Sequence, residues 1–315
     1  MKNFEDLYND EIINNEELNK IWKEAREEQQ KINKVVGLIS IIVTIIILIA
    51  MINSIGFDFM LILPTIIMII FVNLIIFVIS MFFRKKQREY GKIFKNVIIK
   101  KLINNFYNDV EYFPNKQMPS RIYDEPNYNE YYNRYYSDDY IEAKINNEHD
   151  IEMAEVKTQE VETETDSDGN THTTTTTKFH GIFAKIVIDK SINSELRIEQ
   201  NGRYFLSKKR LEMDSSEFEK YFDVSATNKI IGMQLLTADV MEELINFINK
   251  TNMRYDIVIN NNNIYLRFHC GTMFEAGSIK KGVVDKNIIQ KYFYMLNFIY
   301  NLSDKIIKLI NETEI

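Results

Sequence analysis

One cysteine, Cys270, stands in 315 residues, so no intrachain disulfide can form. That suits a reducing compartment and removes disulfide-stapled secreted scaffolds from consideration. Four prolines, ten glycines and 45% apolar residues argue against a long disordered tail. Recognisable reaction chemistry is missing too. Gly277 and Gly282 have P-loop spacing, but Val283 and Val284 follow where the phosphate lysine and hydroxyl belong. Neither a G-x-S-x-G elbow nor H-E-x-x-H occurs. The histidines at 149, 172, 180 and 269 are scattered, with none paired at metal-ligand spacing. His269 adjoins Cys270, yet neighbouring side chains on a strand point to opposite faces, so the two make no local dyad. The sequence assigns no catalytic residue, cofactor or metal, and leans away from an enzyme.

Two stretches also lack charge. Val35–Ile52 and Phe59–Phe83 hold 18 and 25 residues without a charged side chain and sit six residues apart. About 20 apolar residues cross roughly 30 Å of hydrocarbon. The pair predicts a transmembrane helical hairpin over 35–83, with spans 35–55 and 59–83. A cleaved signal peptide would need a short basic lead and a shorter core. Here a polar segment with Glu24, Glu27 and Glu28 comes first. The polar side chains within the two runs are Ser40, Thr44, Thr65, Asn73 and Ser80. Asn73 is the candidate interhelical contact, within one hairpin or between copies. No charged residue marks an ion path.

The flanks set orientation. Lys31 and Lys34 precede the first run, and Arg84, Lys85, Lys86 and Arg88 form a collar after the second. The connection Asn53–Asp58 has no Lys or Arg. Positive residues stay inside, which predicts a two-span protein of the cell membrane with both termini cytoplasmic. Net charge is −3 over 1–34, +7 over 84–101 and −10 over 102–315. Each collar charge near an anionic leaflet is worth about 1 kcal/mol, so the collar holds to the headgroups while the acidic body stands off.

Residues 1–34 read as a cytoplasmic amphipathic helix, with Phe4, Tyr8, Ile12, Leu18, Ile21 and Trp22 on its apolar stripe and a break near Asn14 and Asn15. Its acidity favours packing on the protein over lying on lipid. Phe94, Ile98, Leu102 and Phe106 step by four and predict a basic stalk helix over 84–107. Residues 108–315 form a cytoplasmic domain of antiparallel sheet plus helices, giving an α+β protein overall. It opens on a tyrosine-dense stretch, Tyr107–Tyr140, read as an ordered linker folded over the core. Its net negative charge excludes a nucleic-acid stacking platform, which needs a positive groove.

Over 151–189 the pattern turns to a long β-ribbon. Thr171–Thr177 is threonine except for His172, and Asp166–Asn170 is a turn. The Asp-Ser-Asp-Gly run lacks the third ligand of a calcium loop before its glycine. Glu160, Glu162 and Glu164 alternate along one face and, with Tyr131 and Tyr135, make the candidate partner surface. Thr237 caps a helix. Tyr255–Ile259 and Ile264–Phe268 flank an asparagine turn, and a closing helix starts at Asp285.

Several stretches carry a resemblance: Tyr140–Ile145, Lys178–Phe183, Glu217–Val224, Leu236–Ala238, Ile264–Leu266 and Phe274–Glu275. With the early hairpin, in this order, the chain resembles the bacterial domain-of-unknown-function family number 3137. Ala143 and Ala238 depart from its pattern, where Gly and Pro are favoured. The resemblance implies two early spans and a cytoplasmic α+β domain, and no catalytic residues. The expected role is a membrane-anchored interaction or scaffold module whose partners are the bilayer and a protein or second copy, not nucleic acid. The alternative is a membrane-associated enzyme with a non-local site acting on lipid or an envelope precursor.

Overall fold

The computed structural model describes residues 1–55, 62–166, 169–200 and 210–312. Gly56–Asp58 of the connection between the apolar runs, the start of the second run, and Ser167 and Asp168 of the ribbon turn lie outside them. The chain divides into two units.

The helical unit comprises Glu5–Val97 and Ala276–Lys286. After α1 (Phe4–Leu7) and a π segment (Tyr8–Ile12), α2 runs unbroken over Glu16–Ile55. The Asn15 side chain starts α2 by accepting the Leu18 N–H at 2.9 Å, a capping role that explains the break beside Asn14. Leu18, Ile21 and Ala25 are buried, and the Trp22 indole donates to the Ile279 carbonyl at 2.9 Å. The amphipathic segment and the first apolar run are thus one helix. The second apolar helix, α3, spans Ile62–Phe82. Both are long and apolar enough to cross a membrane, and the most apolar 18-residue window of each is only 6% buried. A soluble core helix buries such a face; these leave Leu38, Ile46, Ile70 and Phe71 exposed.

The chain breaks at Phe83 and Arg84 before α4 (Lys85–Phe94), so the stalk begins as a separate helix at the collar. Two side chains complete this corner. The Glu28 carboxylate accepts the Lys86 backbone N–H at 2.7 Å, placing negative charge at the N-terminus of α4. The Arg88 guanidinium donates to the Phe82 carbonyl at 3.1 Å, capping α3.

The sheet unit comprises Met1–Phe4, Ile98–Glu275 and Asn287–Ile315. It begins with α5 (Lys100–Asn104), β1 (Asn108–Phe113) and the short α6 (Ser120–Asp124). Then come β2 (Arg134–Ile145), β3 (His149–Thr165) and β4 (Thr171–Gln200). After β5 (Arg210–Leu211) and β6 (Phe222–Ala226) follow α7 (Lys229–Leu235) and α8 (Ala238–Thr251). A folded-back β7 (Arg254–His269) and α9 (Lys286–Glu312) complete the unit. The sheet is ordered β1-β2-β3-β4-β6-β5, with β7 also on β4, and its pairings are antiparallel.

The length of β4 organises everything else. Its first part pairs with β3 as the ribbon. Its middle pairs Ile182–Val187 with the returning arm of β7, and its end pairs Leu196–Gln200 with β6. Past Val187 the chain reverses around the tip of the folded-back β7, so that Ile192–Ile198 pair antiparallel with its outgoing arm. Helices α8 and α9 cover one face, where Phe247 stacks on Phe298 with centroids 4.0 Å apart and both meet Tyr255 and Phe268. The opposite face is covered by the tyrosine stretch, here called the strap (114–133). Met118, Ile122, Tyr123 and Tyr128 pack there with Phe179, Phe183, Val258 and Tyr265.

Candidate functional site

On the strap side of the sheet lies a buried charge cluster centred on Arg267. Period-two alternation aims Arg267 and His269 of β7 at the same face. The asparagine turn folds Asp256 beside them. The Asp256 Oδ2 accepts from Arg267 Nε at 3.1 Å, Arg267 Nη2 at 2.9 Å and His269 Nε2 at 2.9 Å. From the strap, Glu130 accepts from Arg267 Nη1 at 2.9 Å, and the Tyr128 ring lies 3.7 Å from the guanidinium carbon. Arg267 and Asp256 are each 2% exposed. Burial alone would raise the Asp256 carboxyl, but the His269 hydrogen bond and the Arg267 charge hold it well below the usual carboxylate range. Burial lowers His269, against the pull of Asp256.

More contacts fasten the strap. Glu125 accepts from Tyr265 at 2.8 Å and pairs with Lys185 at 2.6 Å, and Arg197 donates to the Pro126 carbonyl at 2.6 Å. With carboxylates on two sides and a ring against it, the guanidinium has no free donor face for a substrate. The cluster is a latch.

A second polar group assembles around Glu155. Carboxylate oxygens of Asp138, Asp139 and Glu155 lie within 4.8 Å of one another, a donor set of the kind that holds a divalent cation. Glu155 accepts from the Met273 N–H at 2.7 Å and meets His180 Nε2 at 3.2 Å, while Tyr112 donates to Asp139. Burial raises the Glu155 carboxyl, aided by Asp138 and opposed by Met273 and His180. The oxygens are engaged within the fold. Cys270 hydrogen-bonds to the Phe268 carbonyl, and burial pushes its thiol up to about 11. His269 bonds to Asp256 instead of to this thiol, which leaves Cys270 protonated and unactivated.

Glu162 and Glu164 are exposed along one face of the ribbon, opposite Thr174 and His172. Glu160 is held by Lys178 at 2.7 Å. Tyr131 is 67% exposed, whereas Tyr135 packs against the strap core and donates to the Met118 carbonyl at 3.0 Å. The ribbon and Tyr135 therefore do not share one continuous open surface. A cleft of about 420 Å³ on the strap side of the sheet is lined by Glu111, Glu142, Lys144, Glu152 and Lys185, among others. In the collar, Lys86 pairs with Glu24 at 2.8 Å and Glu89 at 3.1 Å. Hydrogen bonding to Lys86 lowers the Glu24 carboxyl.

Between the apolar helices, Asn73 accepts from Ser40, meets Thr44 at 3.4 Å and donates to the Ile69 carbonyl at 2.8 Å. Its amide is used within the hairpin. Asn73→Leu is expected to weaken hairpin pairing by about 0.6 kcal/mol without altering the oligomeric state. Steric trapping and crosslinking in micelles read the two quantities separately.

The architecture defines a class: an α+β sheet domain with a strap latched by buried charge, in a chain that carries a pair of exposed apolar helices. Residues 177–308 match the model of a family described as a protein of unknown function, DUF3137, so the resemblance drawn from the sequence holds over that stretch. No curated protein and no solved structure matches the chain. The match takes in most of β4, all of β7 and most of α9, hence Arg267, Asp256 and His269. The hairpin lies outside it.

Proposed function

We propose that the protein is a membrane-anchored interaction module. The hairpin crosses the cell membrane twice, both termini are cytoplasmic, and the acidic ribbon receives a basic protein partner. The observation that carries this reading is the outer ribbon, where the residues on both strands are exposed over Glu162–Thr165 and Thr171–Thr177. A two-stranded ribbon without a core is marginal by itself, and this one is exposed on both strands. Its carboxylates complement a cationic surface. Support for the membrane address is the small buried share of α2 and α3 together with the collar's charge. Among the described residues the enzyme alternative has in its favour the Glu155 group, whose oxygens are engaged within the fold.

The test replaces residues 159–177 by an Asn-Gly turn in the full chain. Unchanged secondary structure with loss of partner crosslinks formed from a photoreactive group at Lys178, at the root of the ribbon and outside the excised segment, is the expected result. Crosslinks in the wild type that persist when Glu162 and Glu164 are both changed to Lys would reject a basic partner. A reporter behind the C-terminus found outside the cell would reject the orientation.

A further inference from the structure

We propose that the helical unit holds one phospholipid in a cleft between α2 and α3, with its acyl chain between the helices. Its headgroup carries both a phosphate and a primary ammonium, set against Lys31 and Glu27. The proposal rests on the membrane reading above.

Two cavities abut at one end of the helix pair and share Lys31, Ile32 and Phe83. The inner one, about 500 Å³, is lined by Ile32, Val36, Ile39, Ile76, Ile79 and Phe83. Its one hydroxyl, on Ser80, is spent on the Phe77 carbonyl at 2.6 Å. The outer one, about 420 Å³, is lined by Glu24, Glu27, Glu28 and Lys86 as well as the shared residues. A greasy chamber opening into a charged one has the polarity profile of an amphiphile.

Polar contacts bound this space at both ends. Ser40 and Asn73 are bonded just past Ile39 and Ile76, and the Lys86 contacts to Glu24 and Glu28 lie at the mouth. From Ile32 to Ile39 the helix rises about 10 Å, room for the first part of an acyl chain. Lys86, Glu24 and Glu28 are engaged with one another. Glu27 and Lys31 stand one turn apart on α2, exposed, and neither forms an ion pair among the described residues. One free carboxylate beside one free ammonium complements a zwitterion. A primary ammonium can donate to Glu27, whereas a quaternary one cannot and would look for an aromatic cage.

The experiment titrates delipidated full-length protein in micelles with phosphatidylethanolamine, phosphatidylcholine or phosphatidylglycerol and counts bound lipids by native mass spectrometry. One lipid per chain is expected, with a roughly tenfold preference for the ethanolamine headgroup, the scale of one charge-assisted hydrogen bond. Val36→Trp should abolish retention by filling the inner chamber. Glu27→Lys, a surface change that leaves packing alone, should keep a lipid but shift preference to phosphatidylglycerol. Several lipids per chain without headgroup preference, unaffected by either variant, would mean annular lipid only and overturn the site. So would a dimer whose contact covers Val36. Carbonate extraction of the wild type separates the two failures: release from vesicles defeats the membrane reading, and retention leaves only the cleft in question.

Discussion

Arg267→Met is expected to destabilise the sheet domain by about 3–5 kcal/mol at neutral pH, the scale for breaking a buried ion pair from one side. The change keeps the side chain's volume but leaves Asp256 and Glu130 without their cation, and it removes the charge from the Tyr128 ring. In the wild type the folded-state pKa of Asp256 is depressed. Its contribution is therefore complete above the ordinary aspartate range and disappears only as strong acid protonates the folded carboxyl. In the variant, burial without the guanidinium raises that carboxyl, so the deficit should shrink as pH falls from 7 toward about 4.5. His269 acts in the same sense, because Arg267 also lowers it. Urea-dependent pulse proteolysis of the full chain in detergent, at both pH values, reads the difference. A deficit identical at both would assign the loss to packing instead of charge. Asp256→Asn in the same background should recover part of the stability, since it removes the charge left buried without its guanidinium.

Gly181→Ala carries the other large effect. A Cβ built at this position would stand 1.8 Å from the Phe268 carbonyl oxygen and 2.9 Å from the Cys270 nitrogen. Both atoms are backbone, and both are in use: Cys270 N–H donates to Phe268 at 3.0 Å, and Gly271 N–H to the His180 carbonyl at 3.1 Å. No side-chain rotation relieves such a clash; β4 and β7 must part. The expected cost is about 3 kcal/mol or more, at or above the upper end for overpacking. Raised amide exchange should concentrate in Ile182–Ile186 and Ile264–Phe268, with the helical unit unchanged. An alanine variant of wild-type stability would mean that β7 can shift on β4 freely. Gly181 lies in the Lys178–Phe183 segment that carries the family resemblance.

The α+β class was legible because its strongest signals are local. Tyr255–Ile259 and Ile264–Phe268 alternate about an asparagine turn, and two uncharged runs stand near the start. The full course of β4 was harder to see. Asp189, Lys190, Ser191 and Asn193 look like the end of a strand; they belong to the reversal past Val187, after which burial resumes at Ile192, Leu196 and Ile198 against the outgoing arm of β7. The latch was missed altogether. Its strap partner, Glu130, lies 137 residues from Arg267 in the chain, beyond any periodicity. One local sign existed. Asp256 and Arg267 are lone opposite charges inside otherwise apolar strands, placed symmetrically about Asn260–Asn263. Two such residues facing each other across a hairpin must pair if both are buried.

The strand that forms one edge of the exposed ribbon runs on into the sheet, between β3 and the returning arm of β7. Force applied by anything gripping the ribbon would travel along covalent backbone into β4 between β3 and β7. There it loads many hydrogen bonds side by side in shear, not singly as a zipper does. The protrusion is mechanically a handle with its root in the core.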